Sequence, residues 1–144
     1  MSKVPEAEDR LLVLVDAWPA LAQVRTSYSP PTEGADYARE LIYLVSETPQ
    51  EEKWIGLRPG QAPREEEFVL GLVITAYRPG DDQRAVKHRV WELRDEVAAA
   101  QRQDPTLGDL VLSAHVARTL VSSEYFDTGW GARATLEVVC KARV

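Results

Sequence analysis

Apolar positions recur along the chain with two distinct periods, and the switches between them mark out the elements. Leu11, Leu12, Val15 and Trp18 fall at helical spacing behind an acidic first turn, which predicts a helix over residues 6–18 that Pro19 stops. Residues 21–28 then alternate, with Val24, Thr26 and Tyr28 on one face, and read as a strand ended by Pro30, Pro31 and Gly34. A second strand is expected over 39–45, where Leu41, Tyr43 and Val45 alternate with Ile42 and Leu44.

Residues 46–67 break the pattern. Three prolines, two glycines and six acids against three bases predict a long loop, interrupted at most by a short strand at 53–57. Residues 67–77 follow as a strand with two apolar faces, Phe68, Leu70, Leu72, Ile74 and Ala76 against Val69, Val73 and Tyr77, as expected of a central strand. Pro79-Gly80 turns the chain, and Asp81 or Asp82 caps a helix to about Gln103 whose core stripe is Val86, Val90, Leu93, Val97 and Ala100. After the Asp104-Pro-Thr-Leu-Gly-Asp turn, a strand is expected over 110–121. There Leu110, Leu112, Ala114 and Val116 alternate with Ser113, His115 and Thr119. Gly129-Trp130-Gly131 opens a last strand to Val144, with Leu136, Val138, Cys140 and Ala142 inward and Arg133, Glu137, Lys141 and Arg143 outward. The order lacks a βαβ alternation. It implies an α+β fold: a mainly antiparallel sheet of four to five strands packed on two helices, with the long loop 46–67 between strands 2 and 3. Residues 1–144 are the usual size of a single domain.

Composition narrows the function classes. A hydrophobic fraction of 44% can build a core, and the net charge of −6 argues against a protein that grips nucleic acid. No apolar run reaches the roughly 20 residues of a membrane helix, and the acidic N-terminus does not read as a signal peptide. The reading is a protein of the cytoplasm or of a particle assembled there, with no membrane partner. A single cysteine, Cys140, excludes an intrachain disulfide, and it is expected to be buried and inert.

Candidate chemistry is sparse. His88 and His115 have no nucleophile motif around them, and one cysteine with two distant histidines cannot make a structural zinc site. The acidic runs Glu51-Glu52 and Glu65-Glu66-Glu67 lack the spacing of a calcium loop. The reading is therefore non-enzymatic, with no catalytic residue, no metal and no cofactor. Three tryptophans lie off the core pattern: Trp54 in the acidic loop, Trp91 roughly 120–140° from the Val86–Val97 stripe, and Trp130 between glycines. Because tryptophan is enriched at interface centres, Trp54, Trp91 and Trp130, with Glu65 and Glu66 in the acidic loop, are the candidate protein-interface residues.

Several motifs of residues 65–144 together resemble the tail terminator (tail completion) proteins of long-tailed bacteriophages. They are Arg64-Glu-Glu-Glu-Phe leading into a strand, Pro79-Gly-Asp-Asp before a helix, Asp104-Pro-Thr-Leu-Gly after it, Gly131-Ala-Arg-Ala opening the last strand and Val138-Val-Cys-Lys-Ala-Arg-Val closing it. Asp109 departs from the pattern, standing where a second glycine is typical. The resemblance implies a structural virion protein at the head–tail junction, assembled in the host cytoplasm. It would form a homohexameric ring that caps the tail tube, ends its polymerisation and meets the head-completion proteins of the neck. Its partners would be itself, the tail tube protein and a neck protein, with DNA passing the lumen without specific binding. The alternatives are another phage neck protein and a small non-phage α+β binding or hydrolytic domain.

Overall fold

The computed structural model describes residues 2–30, 40–54, 64–80, 82–126 and 129–143. The element order is α1 (Val4–Asp16), a 3₁₀ turn (Pro19–Leu21), β1 (Arg25–Ser27), β2 (Glu40–Leu44), β3 (Gln50–Trp54), β4 (Arg64–Pro79), α2 (Gln83–Gln103), β5 (Ser113–Phe126) and β6 (Gly129–Arg143). The α+β class stands: two helices lie on a six-stranded sheet ordered β1-β2-β4-β6-β5, with β3 also on β4. All pairings are antiparallel except β1 with β2.

The largest departure from the sequence reading is at 46–67. Residues 50–54 and 64–67 are paired strand, not loop, with Gln50 opposite Phe68 and Trp54 opposite Arg64. β2 and β3 run one after the other along the same edge of β4. At the break between them Val45 N–H donates to the Gly71 carbonyl (2.9 Å) and Val69 N–H to the Pro49 carbonyl (3.1 Å). Polar composition suggested a loop, but here alternation carries the strand: Glu66 and Phe68 point into the core while Glu65 and Glu67 point away. Residues 55–57 of the suggested short strand lie outside the described residues, as do Pro31, Gly34, Arg39, Asp81 and Val144.

Smaller shifts have local causes. α1 begins at Val4 rather than residue 6, because Pro5 sits in the first turn, where its missing N–H costs nothing. The strand expected over 21–28 shrinks to β1. Leu21 instead closes the 3₁₀ turn, and Tyr28 is exposed, its hydroxyl donating to Glu8 Oε2 (2.6 Å). The cap of α2 is Asp82, whose side chain accepts from Ala85 N–H at 2.9 Å. β5 starts at Ser113, leaving Leu112 exposed, and a bulge at residue 117 shifts its alternation.

The core lies between the sheet and both helices. Ala7, Leu11 and Val15 of α1, and Val86, Val90, Leu93, Val97 and Ala100 of α2, close over Ile42, Leu44, Phe68, Leu70, Leu72 and Ile74. β6 adds Ala132, Ala134, Leu136, Val138, Cys140 and Ala142, all buried. Small residues at four of those six positions let α2 approach the sheet closely. Among the described elements no helix packs on the opposite face. That face carries a small cluster of Leu41, Tyr43 and Val73 with Val45 beside it. Cys140 sits in the main core, and burial pushes its thiol up to about 12 from an ordinary 9.0. Its thiolate is therefore unavailable while the chain is folded. A thiol reagent at pH 8 is expected to label Cys140 only at the rate of global unfolding, as measured by mass spectrometry along a urea series. The same shift makes stability complete below about pH 9 and progressively smaller towards pH 12, since the unfolded thiol gives up its proton first.

Candidate functional site

The sequence-predicted residues do not converge on one place. Trp54 and Trp130 stand opposite Arg64 and Arg78, at the two ends of β4, and so are separated by about 45 Å at strand rise. The Trp54 side chain lies outside the described part of the chain. Trp130 is half-buried and meets the exposed Tyr125 edge-on, with ring centroids 5.3 Å apart and planes at 63°. Gln83 Nε2 donates to Ser123 Oγ (2.7 Å), which seats the start of α2 over β5 beside this aromatic pair. Trp91 is 44% exposed on α2, off the core stripe as the wheel indicated. The fourth tryptophan, Trp18, is half-buried against the main core, and its Nε1–H donates to Glu96 Oε2 (2.8 Å), tying the segment after α1 to α2.

Glu65 and Glu66 have opposite fates because strand alternation parts them. Glu65 is half-buried on the helix-free face, opposite Lys53 and Arg143. Glu66 is fully buried and accepts from the Lys3 N–H, from Ser2 Oγ (2.9 Å) and from Gln50 Nε2 (2.9 Å). No side chain of α1 caps the helix, so Glu66 supplies the anion at its N-terminus from across the fold. The contact Glu66 makes is thus inside the chain.

The helix-free face is a mixed-charge surface. Lys53 Nζ and Glu67 Oε2 pair at 3.1 Å across β3 and β4, and each holds the other ionised: Lys53 is raised and Glu67 lowered from its ordinary value. Lys141 and Arg143 of β6 stand opposite Glu67 and Glu65, and Arg118 of β5 opposite Glu137. The net charge of −6 is more evident on α1, where Glu6, Glu8, Asp9 and Asp16 outnumber Arg10, whereas α2 carries three acids against five bases.

The histidines fall on opposite sides of the sheet, His88 exposed on α2 and His115 exposed on the helix-free face of β5, so they cannot serve one reaction centre. Among the described residues no three metal-ligating side chains gather. A cavity of about 660 Å³ opens where Gln23, Glu40, Arg78, Arg89 and Glu92 meet the end of β4. Its central cation is already satisfied. Arg89 forks onto both Glu40 oxygens and reaches Glu92 Oε2 (3.1 Å), and the Glu40 bond raises its pKa. The described lining of this cavity holds no serine, cysteine or histidine.

Sequence reasoning missed the apolar exposure of β5 and its lead-in, at Leu112, Leu120 and Tyr125. The bulge at residue 117 turns Leu120 outward, and no residue type there signals it.

Neither a protein-family model nor a curated protein matches the chain. Among solved structures, a chain from the virion of a native gene transfer agent particle is similar, with TM-score 0.46 and 14% sequence identity. The likeness covers 95% of this chain and 94% of that one. Similarity at that level carries no argument about role.

Proposed function

We propose that the chain is a tail terminator: a subunit of a hexameric ring that caps a phage tail tube, ends its polymerisation and presents a surface to the head-completion proteins of the neck. The observation that supports this most is the one-sided construction of the segment bearing the resembling motifs. β4, α2, β5 and β6 follow in order, α2 lies on one face, no described helix packs on the other, where Leu41, Tyr43 and Val73 are nonetheless buried, and no described strand lies beyond β5. A closed ring needs two different patches that meet on neighbouring subunits, and such a layer offers them. Trp54 and Trp130, at opposite ends of β4, suit contacts with two different neighbours along the tail axis, and Trp91 and Glu65 suit the joint between subunits. Among the described strands the helix-free face mixes six bases with five acids, so DNA passing along it would meet no strongly basic surface.

The test is to add the purified chain to polymerising tube subunits and image the products by electron microscopy. Rings of about 97 kDa, six copies of the 16.1 kDa chain, are expected at tube ends, with tube length limited by the chain added. Tubes that grow unchecked with no density at their tips sink the reading. A ring that binds neck protein but never tube moves the chain to another neck component.

A further inference from the structure

The sheet ends very unequally. On one side it closes with β1 (Arg25–Ser27), too short to template much. On the other it ends with β5, whose outer edge carries no described strand over Ser113–Phe126. Edge strands of that length are usually blunted by proline, lysine or a short run, and β5 contains neither residue. Its one irregularity, the bulge at residue 117, leaves 118–126 unbroken beyond it. This stretch exposes Leu120 (59%) and Tyr125 (51%).

The charges on the stretch are self-complementary. Arg118, Leu120, Ser122 and Glu124 share the helix-free face, and Arg118 and Glu124 are exposed with no ion pair among the described residues. Laid antiparallel on itself with Val121 opposite its own counterpart, the strand sets Arg118 against Glu124 at both ends and Leu120 against Ser122 between them. Partners in this register are always both odd or both even, so residues whose backbone groups point outward meet their like, as an antiparallel ladder requires. Cross-strand pairs of opposite charge stabilise such a ladder and like charges oppose it.

We infer that residues 118–124 of β5 pair antiparallel with the same strand of a second copy of this chain, about a two-fold axis at Val121, covering the edge before assembly. The contact goes beyond the ring reading. A two-fold pair uses one patch twice, whereas a ring joint uses two different patches, so one can fail while the other holds.

The full-length chain tests it. Light scattering is expected to give twice the 16.1 kDa mass. Val121→Cys should cross-link to itself under mild oxidation, since facing residues in a ladder lie within disulfide reach. Buried Cys140 gives no background, and Leu112→Cys serves as the exposed control. R118E and E124R should each weaken the dimer at least about tenfold by setting like charges opposite, and R118E/E124R together should restore it. Both charge variants lie on the surface, so circular dichroism should show them folded. A monomer at every concentration, a Val121→Cys chain that cross-links no more than the control, or a double variant no better than the singles overturns the inference. Rings at tube ends would be unaffected by that result.

Discussion

Replacing Glu66 with alanine is expected to lower the unfolding free energy by about 3 kcal/mol, the largest loss anticipated from a single polar side chain here. The carboxylate is fully buried and takes three donors: the Lys3 N–H, Ser2 Oγ and Gln50 Nε2. Alanine removes the acceptor shared by these donors and leaves a hole between β4 and the start of α1. It also removes a buried anion from the start of α1, where the N-cap residue makes no side-chain cap bond. Glu66→Gln, which keeps the shape but donates where Glu66 accepts, should recover part of the loss, leaving about 1–2 kcal/mol. Urea unfolding measures the sizes, and hydrogen exchange over residues 3–8 locates the effect. An alanine variant as stable as the parent would mean that the N-terminus of α1 is not held this way.

Gly129→Ala is expected to cost a similar amount, about 3 kcal/mol, through overpacking against backbone. A Cβ there would lie 2.2 Å from the Arg78 carbonyl oxygen and 2.6 Å from Pro79 Cα. Neither atom can swing aside as a side chain would, so β6 must move off the end of β4. Gly71→Ala makes a useful comparison, because its new Cβ meets only the Val45 side chain, at 2.4 Å from Cγ2. Rotation of Val45 relieves part of that clash, and a smaller loss of about 1–2 kcal/mol is expected. Thermal unfolding of the two variants side by side decides the matter; equal losses would show that the backbone at Arg78 yields as readily as a valine side chain.

Much of the second half of the fold was legible in the chain. The stripe Val86, Val90, Leu93, Val97 and Ala100 is wholly buried on α2, and the inward row Leu136, Val138, Cys140 and Ala142 is wholly buried on β6. Both are long elements in which one period repeats often enough to outweigh local composition. Glu51, Glu52 and Arg64 to Glu66 were misread because charge is a poor guide to a strand with water on one side. Pairing with β4 and β6 supplies the backbone partners that composition does not reveal.

The turn at 104–109 shows the same division. Asp109 stands where the resembling family has glycine, and the chain still takes the left-handed conformation there, with φ +66°. Asp104 Oδ1 accepts from Gly108 N–H (2.8 Å), and Thr106 Oγ1 accepts from Asp109 N–H (3.3 Å). These short polar side chains hold the strained turn that glycine would adopt freely.

The candidate surface was legible only in part. Side-chain type marked Trp91 and Trp130 as off the core pattern; Trp91 is exposed, whereas Trp130 is half-buried against the main core. The acidic pair was beyond the reach of composition, because which of two adjacent glutamates is buried depends on the register of β4 against β6.

By itself the sequence determined the α+β class, the buried stripe of α2, the Leu11 and Val15 positions of α1 and the inward face of β6. Each follows from residue type and spacing along one stretch of chain. Only the tertiary structure decided that β2 and β3 share an edge of β4, that Glu66 holds the start of α1, and that the bulge at 117 turns Leu120 outward on an open edge. Those outcomes depend on pairing between segments far apart in sequence, where cooperative hydrogen bonding and packing override the preference of any one residue.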